Sequence, residues 1–262
     1  MRSQQKKSVP LGLLFAGAAL ALMDSHALAC SPIGSRPPPG ASDAALAAYL
    51  MPFAEVAAFV EVDALALLTP EKRSAHPLPD DFSLAFDAID LFAEEDRAAL
   101  VQARLTGLHA SAFLHCDGEL VVIAYRGMQM RDPRQYVTVA IRRLSVAPAL
   151  AVRFAELVVN RFPHLDVLLV GHSGGGGMAI YTGWARSIPM IAFNPVRPRF
   201  NERIDNGEGS INIIVRGDIL ADPTVTGKAE PPGRTLWLDP GDTPFLELHD
   251  LETIIRALEA LL

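Results

Sequence analysis

The sequence predicts an α/β protein with a mostly parallel central sheet flanked by helices. In the second half of the chain, short apolar runs alternate with longer stretches of helical period, an order typical of parallel β–α units. The run at residues 167–170 contains no polar residue, as expected of a strand covered on both faces. It ends at a glycine-rich turn followed by small and apolar residues, which indicates a strand that leads directly into a helix.

The amino terminus is predicted to be a signal peptide, residues 1–29. Three basic residues precede an apolar run at 11–23, and Ala27-Leu28-Ala29 has the small-x-small pattern of a signal-peptidase site. The run is shorter than the roughly 20 residues that span a bilayer, which favours cleavage over a retained transmembrane helix. We therefore expect an exported protein, periplasmic or secreted, whose mature chain begins at Cys30.

Composition indicates one globular domain, which we place at residues 43–262. The chain is 50% hydrophobic and 20% charged, enough for a single large core. Removal of residues 1–29 takes three basic residues and one acidic residue from totals of 23 and 30, leaving 20 and 29 and a net charge of −9. Such an acidic surface is poorly suited to nucleic acid, so we expect no nucleic-acid partner.

The two cysteines, Cys30 and Cys116, leave two possibilities open. In an oxidising compartment they can pair, although the sequence does not say whether they meet. Alternatively, Cys30 at the mature terminus carries a lipid and anchors the protein to a membrane, although Ala27 stands where such sites usually have leucine. Residues 30–42 are rich in proline and glycine and are predicted to be a linker.

The first half of the domain is predicted to contain helices followed by a hairpin. Residues 43–68 are rich in Ala and Leu, which favours one helix, or two around Pro52. Prolines break this pattern at 70–79, and Asp117-Gly118 forms a two-residue hairpin turn. The predicted elements here are helices at 43–68 and 88–104 and strands at 108–116 and 119–125.

The second half is predicted to alternate strands and helices. Residues 128–135 are a polar loop, and residues 136–144 fit a strand or a helix equally well. The remaining predicted elements are helices at 149–161 and 250–262 and strands at 167–170, 188–193, 211–215 and 235–238.

The turn at residues 171–175 reads Gly-His-Ser-Gly-Gly and matches the G-x-S-x-G pattern of a nucleophile elbow. A serine at the tip of such a turn lies at the carboxyl end of the sheet, beside helix N–H groups that can stabilise an oxyanion, so Ser173 is the candidate nucleophile. A dinucleotide-binding turn is the main alternative, since Gly174, Gly176 and Ala179 spell G-x-G-x-x-A. No acidic residue lies between Ser173 and Glu202, however, and no lysine follows the glycines. A structural glycine turn with an idle serine also remains possible.

A serine nucleophile needs a histidine base and a carboxylate to orient it, in the chain order serine, acid, histidine for this kind of elbow. Among the histidines, only His249 follows an acid that follows Ser173, so His249 is the candidate base. Asp218, just after a predicted strand, is the favoured acid and Asp222 is the alternative. We expect His172 to pack or to hydrogen-bond rather than to catalyse.

These segments together resemble the class 3 (fungal-type) lipases of the α/β-hydrolase fold. The resemblance covers residues 88–262 and includes residues 121–127, the elbow, the segment RGDILADP at 216–223 and His249. It implies that Ser173, Asp218 and His249 form a triad and that the N–H groups of Met128 and Gly174 form the oxyanion hole. It also implies hydrolysis of carboxylic esters, typically of acylglycerols or related lipids, without a metal or cofactor.

The sequence therefore predicts an exported serine hydrolase whose partner is an ester or lipid substrate. The same triad would also serve a thioesterase, a polymer esterase or an acyltransferase. A hydrolase-fold protein that binds without catalysis is the alternative of a different class. The ordered presence of serine, acid and histidine argues against it.

Overall fold

Within the residues that the structure describes, seven strands form one sheet in which every strand lies beside its neighbours in sequence. The computed structural model describes residues 30–66, 77–106, 108–127, 147–196 and 209–262. The first three strands are antiparallel, and the third to the seventh are parallel. The strands are β1 (Phe82–Asp87), β2 (Ala110–His115), β3 (Leu120–Tyr125), β4 (Asp166–His172), β5 (Met190–Phe193), β6 (Ile211–Val215) and β7 (Arg234–Leu238).

Helices cover both faces of the sheet, so the predicted α/β class is confirmed. The helices in the described residues are α1 (Asp43–Ala66), α2 (Ala88–Glu95), α3 (Arg97–Thr106), α4 (Ala147–Arg161), α5 (Ser173–Arg186), α6 (Pro223–Thr226) and α7 (Leu251–Glu259), with a 3₁₀ turn at Phe245–Glu247. Helices α1 and α7 pack on one face, while α2 to α5 pack on the other. A parallel sheet covered in this way explains why its strands read as continuous apolar runs.

Alternate residues of each strand enter the two cores, and this sets the direction of the residues that end the strands. In β4, Leu168 and Val170 belong to the core under α1 and α7, whereas Leu169 belongs to the opposite core. His172 has the same parity as Leu168 and Val170. The residue before the serine is therefore directed toward α1.

Three local predictions differ from the structure. Strand β1 was not predicted, and residues 88–104 form two helices instead of one. The break is at Asp96, which has φ −153° and whose Oδ1 accepts the Ala99 N–H at 3.0 Å, an N-cap for the second helix. The alternative of two helices around Pro52 is wrong, because α1 is continuous through it. The predicted elements at 128–135 and 136–144 lie outside the described residues.

Helix α1 has the length and composition of a membrane span but lies in the core. Residues Asp43–Glu61 have a mean hydropathy of 1.5, and 56% of this stretch is buried in the domain. Its apolar stripe includes Leu46, Leu50 and Phe53, all fully buried. Burial against the sheet and α7 accounts for its apolar composition.

The segment 30–42 has no helix or strand but is tied to the domain. Cys30 and Cys116 form a disulfide across 86 residues, and the Ser35 hydroxyl donates to Asp166 at 2.8 Å. His115 lies beside the disulfide, with Nε2 3.8 Å from the Cys116 sulfur. Because both sulfurs are in the disulfide, Cys30 has no thiol for a lipid anchor in this form of the protein.

Candidate active site

The turn between β4 and α5 holds Ser173 in a strained backbone conformation. Ser173 has φ 55°, a left-handed value that non-glycine residues rarely adopt. Two glycines allow this turn, because at each of them another part of the backbone lies too close to leave room for a side chain. A Cβ on Gly175 would overlap the Tyr125 carbonyl oxygen, and one on Gly171 would overlap the backbone of Gly175. This strand–turn–helix geometry is that of a nucleophile elbow.

His249 connects the serine to a buried aspartate. Its Nε2 lies 2.8 Å from the Ser173 Oγ, and its Nδ1 lies 2.7 Å from the Asp218 Oδ2. The carboxylate accepts only, so Nδ1 carries the proton and Nε2 is free to accept the serine hydroxyl proton. The His249 side chain is 20% exposed, so this arrangement faces solvent at one side while Asp218 is buried. The structure thus brings together the three residues selected from the sequence.

Asp218 and Asp222 have different partners. Asp218 follows β6, and its second oxygen accepts the Leu220 N–H at 2.8 Å. Asp222 instead caps α6: it accepts the Thr224 N–H and hydroxyl at 2.8 and 2.7 Å and the Gly217 N–H at 2.8 Å. Burial alone would raise the pKa of Asp222, but these hydrogen bonds outweigh it and hold the pKa below its usual range. The contact with the histidine belongs to Asp218.

Of the two predicted oxyanion donors, Met128 lies outside the described residues. Gly174 occupies the first turn of α5, where backbone N–H groups lack acceptors within the helix. The strand that leads to Met128 ends beside the serine, because a Cβ on Gly127 would lie 3.2 Å from the Ser173 Cβ. A donor that follows Gly127 is therefore compatible with the position of the serine.

The loop that carries His249 is held in place by hydrogen bonds to its backbone carbonyl oxygens. The Asn194 side chain donates to the Leu248 oxygen at 2.9 Å and accepts the Val215 N–H at 2.9 Å. The next oxygen, that of His249, lies 2.7 Å from the His172 Nε2. Two consecutive carbonyl groups of the loop, those of Leu248 and His249, are thus fixed to the ends of β5 and β4, which orients His249.

Glu61 is a residue of this region that the sequence analysis did not identify. Its Oε1 lies 2.5 Å from the His172 Nδ1. The sequence feature that could have identified Glu61 is its position on the helix. It lies four residues after the buried Ala57 and seven after the buried Ala54, so it belongs to the apolar stripe of α1. A carboxylate in such a stripe indicates a buried polar partner.

The electrostatics around Glu61 and His172 favour an ion pair. Burial alone would raise the pKa of Glu61, but the adjacent His172, His249 and Arg126 lower it overall. Burial would likewise lower the pKa of His172, but Glu61 and the other polar contacts raise it above its ordinary value. Each group therefore holds the other in its charged form.

Apolar side chains are exposed on the two segments that carry Asp218 and His249. Ile219 and Leu220 follow the aspartate, and Phe245 and Leu246 precede the histidine, with exposed fractions of 38% to 84%. Single exposed apolar side chains are common on protein surfaces, and it is a contiguous patch of them that marks a surface for an apolar ligand.

No protein-family model matches the sequence, and no curated protein matches it. Among solved structures, it is similar to a fungal lipase determined with an inhibitor, with 12% identity and a TM-score of 0.49 over 74% of this chain and 80% of that one. It is also similar to Lip2 lipase from Yarrowia lipolytica, with 12% identity and a TM-score of 0.47 over 73% and 78% of the chains. For the lipase from Rhizopus microsporus var. chinensis, the identity is 15%, the TM-score is 0.46, and the match covers 82% of this chain and 83% of that one. All three are described as lipases.

Proposed function

We propose that this protein is a serine hydrolase that cleaves carboxylic esters through an acyl-enzyme. One observation carries the proposal: a single imidazole lies within hydrogen-bond distance of both the Ser173 hydroxyl and the Asp218 carboxylate. The strained backbone of Ser173 at the strand-to-helix turn adds support, since strain of this kind is concentrated at functional sites.

The reaction follows from the positions of the protons. Ser173 Oγ attacks the ester carbonyl carbon while His249 Nε2 takes the hydroxyl proton, and Asp218 stabilises the resulting imidazolium. The carbonyl oxygen becomes an oxyanion, which the N–H groups of Gly174 and Met128 stabilise. When the C–O bond to the alcohol breaks, His249 returns the proton to the leaving oxygen. Water then attacks the acyl-enzyme, with His249 again as base, and releases the acid.

The substrate class we propose is an ester with an apolar acyl or alcohol part, such as a lipid ester. The support is the exposed apolar side chains Ile219, Leu220, Phe245 and Leu246 on the segments that carry the acid and the base. We further propose residues 1–29 as the export signal and 43–262 as the catalytic domain. The Cys30–Cys116 disulfide supports export, because such bonds persist in oxidising compartments.

The test is covalent labelling with a fluorophosphonate, followed by turnover on aryl esters of increasing acyl length. We expect wild-type protein to be labelled on Ser173 and to prefer medium or long acyl chains. Ser173→Ala should remain folded, lose labelling and lose on the order of 10⁴-fold or more in turnover. Ser83→Ala, at an exposed serine of β1, is the matched control and should behave as wild type. Failure of the wild-type protein to be labelled would refute the proposal.

A further inference from the structure

The His172 imidazole touches two acceptors at once. Its Nδ1 lies 2.5 Å from the Glu61 carboxylate, and its Nε2 lies 2.7 Å from the His249 carbonyl oxygen. An ionised carboxylate and a carbonyl oxygen cannot donate, so both ring nitrogens must carry protons to complete both bonds. A doubly protonated imidazole is a cation, and the carboxylate beside it is its counter-ion.

The pair lies next to the candidate catalytic groups. His172 precedes the serine in β4 and is directed toward α1 by strand parity, while its ring lies 5.1 Å from the His249 ring between centroids. His172 is 5% exposed, so water competes little with its hydrogen bonds. One side chain thus joins the serine-bearing strand, the histidine-bearing loop and α1.

We propose that the partly exposed Glu61 and the buried His172 form a carboxylate–imidazolium pair that positions His249 and places a fixed positive charge beside it. This inference rests on the proposed function, because its role is to orient the catalytic base. His172 and Glu61 are positioning residues: neither reaches the reacting atoms, and they act through the backbone oxygen and the field at the His249 ring.

The field at this place has several contributors. Apart from Glu61 and His249, the charges that affect His172 include the buried Asp218, and Asp250 and Arg126 interact with members of the same group. The His172 ring is adjacent to the His249 ring.

Glu61→Gln separates charge from hydrogen bonding. The glutamine amide can donate to His172 Nδ1, so a neutral imidazole can still donate Nε2–H to the His249 oxygen. We expect turnover to stay within about threefold of wild type, while His172 loses one of its two ring N–H protons. Glu55→Gln, an exposed acid on the same helix, is the control and should leave both ring protons of His172 in place.

Substitution of His172 tests the anchor itself. His172→Leu removes both hydrogen bonds and should lower kcat by about 10²-fold with little change in KM, because the base is misplaced and binding is not. His172→Gln retains a donor at the position of Nε2 and should recover most of this loss. His164→Gln, at an exposed histidine, is the control. If the leucine variant does not fold, the glutamine variants of both positions still decide the matter.

Histidine-labelled NMR of the wild-type protein reads the charge directly and needs no substrate. We expect two ring N–H signals from His172 at neutral pH, both absent in His172→Gln. A single ring N–H signal from His172 in the wild-type protein, or two such signals retained in Glu61→Gln, would overturn the proposal. If the wild-type protein hydrolyses nothing and resists the fluorophosphonate, the proposed function fails, whereas the NMR result still tests the pair.

Discussion

Asp218→Asn is expected to abolish most of the activity because of the two bonds that the carboxylate makes. One oxygen accepts from His249 at 2.7 Å and the other accepts from the Leu220 N–H at 2.8 Å. Asparagine has one acceptor oxygen and one donor group. If the oxygen faces His249, the amide hydrogens oppose the Leu220 N–H in a buried site, which costs roughly 1–3 kcal/mol.

The opposite orientation keeps the Leu220 bond and is therefore favoured. It directs the amide hydrogens at His249 Nδ1, so the ring proton moves to Nε2 and the ring can no longer accept from Ser173. Turnover should fall by about 10⁴-fold, which is equivalent to a loss of about 5.5 kcal/mol of transition-state stabilisation. The assay is steady-state hydrolysis of one aryl ester, with circular dichroism to verify folding.

Asp222→Asn is the matched comparison, with the same chemical change four residues away. Asp222 contacts Gly217 and Thr224 instead of His249, so we expect a loss in turnover below about tenfold and a loss in unfolding free energy of about 1–3 kcal/mol. Urea unfolding measures the second quantity. An inactive Asp222→Asn beside an active Asp218→Asn would refute the assignment of the acid and leave those of the serine and histidine intact.

Four further predictions concern the amino terminus of the mature chain, the disulfide and two polar residues, Asn194 and Glu61. Mass spectrometry of exported protein should find a mature terminus at Cys30 without acyl mass, and replacement of Cys30 and Cys116 by serine should cost about 2–4 kcal/mol of stability because the closed loop is long. Asn194→Ala should destabilise by about 2–4 kcal/mol in urea, since it leaves two buried backbone groups without their partner. The stability difference between wild type and Glu61→Gln should be largest between about pH 4.5 and 6.5. The lowered pKa of Glu61 stabilises the folded protein at pH values above the unfolded pKa of a glutamate. The raised pKa of His172 stabilises the folded protein fully below the unfolded pKa of a histidine, and this contribution is lost as the pH rises through the folded pKa.

The parallel part of the sheet could be predicted because both of its faces are covered. Burial on both sides favours a run of mostly apolar residues, which is visible in the sequence without knowledge of the pairing partner. Strands β4 to β7 were predicted to within about two residues at either end. Strand β1 lacks this signal. It lies at the edge, pairs only with β2, shifts register between Leu84 and Phe86, and leaves Leu84 55% exposed. The sequence of such a strand lacks the apolar pattern by which a strand is predicted.

The candidate triad could be predicted from order along the chain, but its supports could not. Ser173 carries a local motif, and Asp218 directly follows an apolar run. Glu61 has no local motif, and its partner His172 lies 111 residues away, a pairing set by the packing of α1 on the sheet. Two features indicated that these side chains are in contact: Glu61 lies in the apolar stripe of α1, and His172 lies on the face of β4 that is directed toward α1. Both signals are weak until the helix is assigned to that face.

Sheet spacing explains why the base must come from a loop and be held there. The serine directly follows β4 and the aspartate follows β6, with β5 between these two strands. Neighbouring strands lie about 4.8 Å apart, so the ends of β4 and β6 are about 10 Å apart and the two side chains need a bridge. An imidazole with a hydrogen bond at each nitrogen connects the two side chains across that gap, and His249 supplies it from the segment after β7. A loop residue has no sheet to fix it, so its backbone needs other partners. Asn194 and His172 supply them, Asn194 from the end of β5 and His172 from the end of β4.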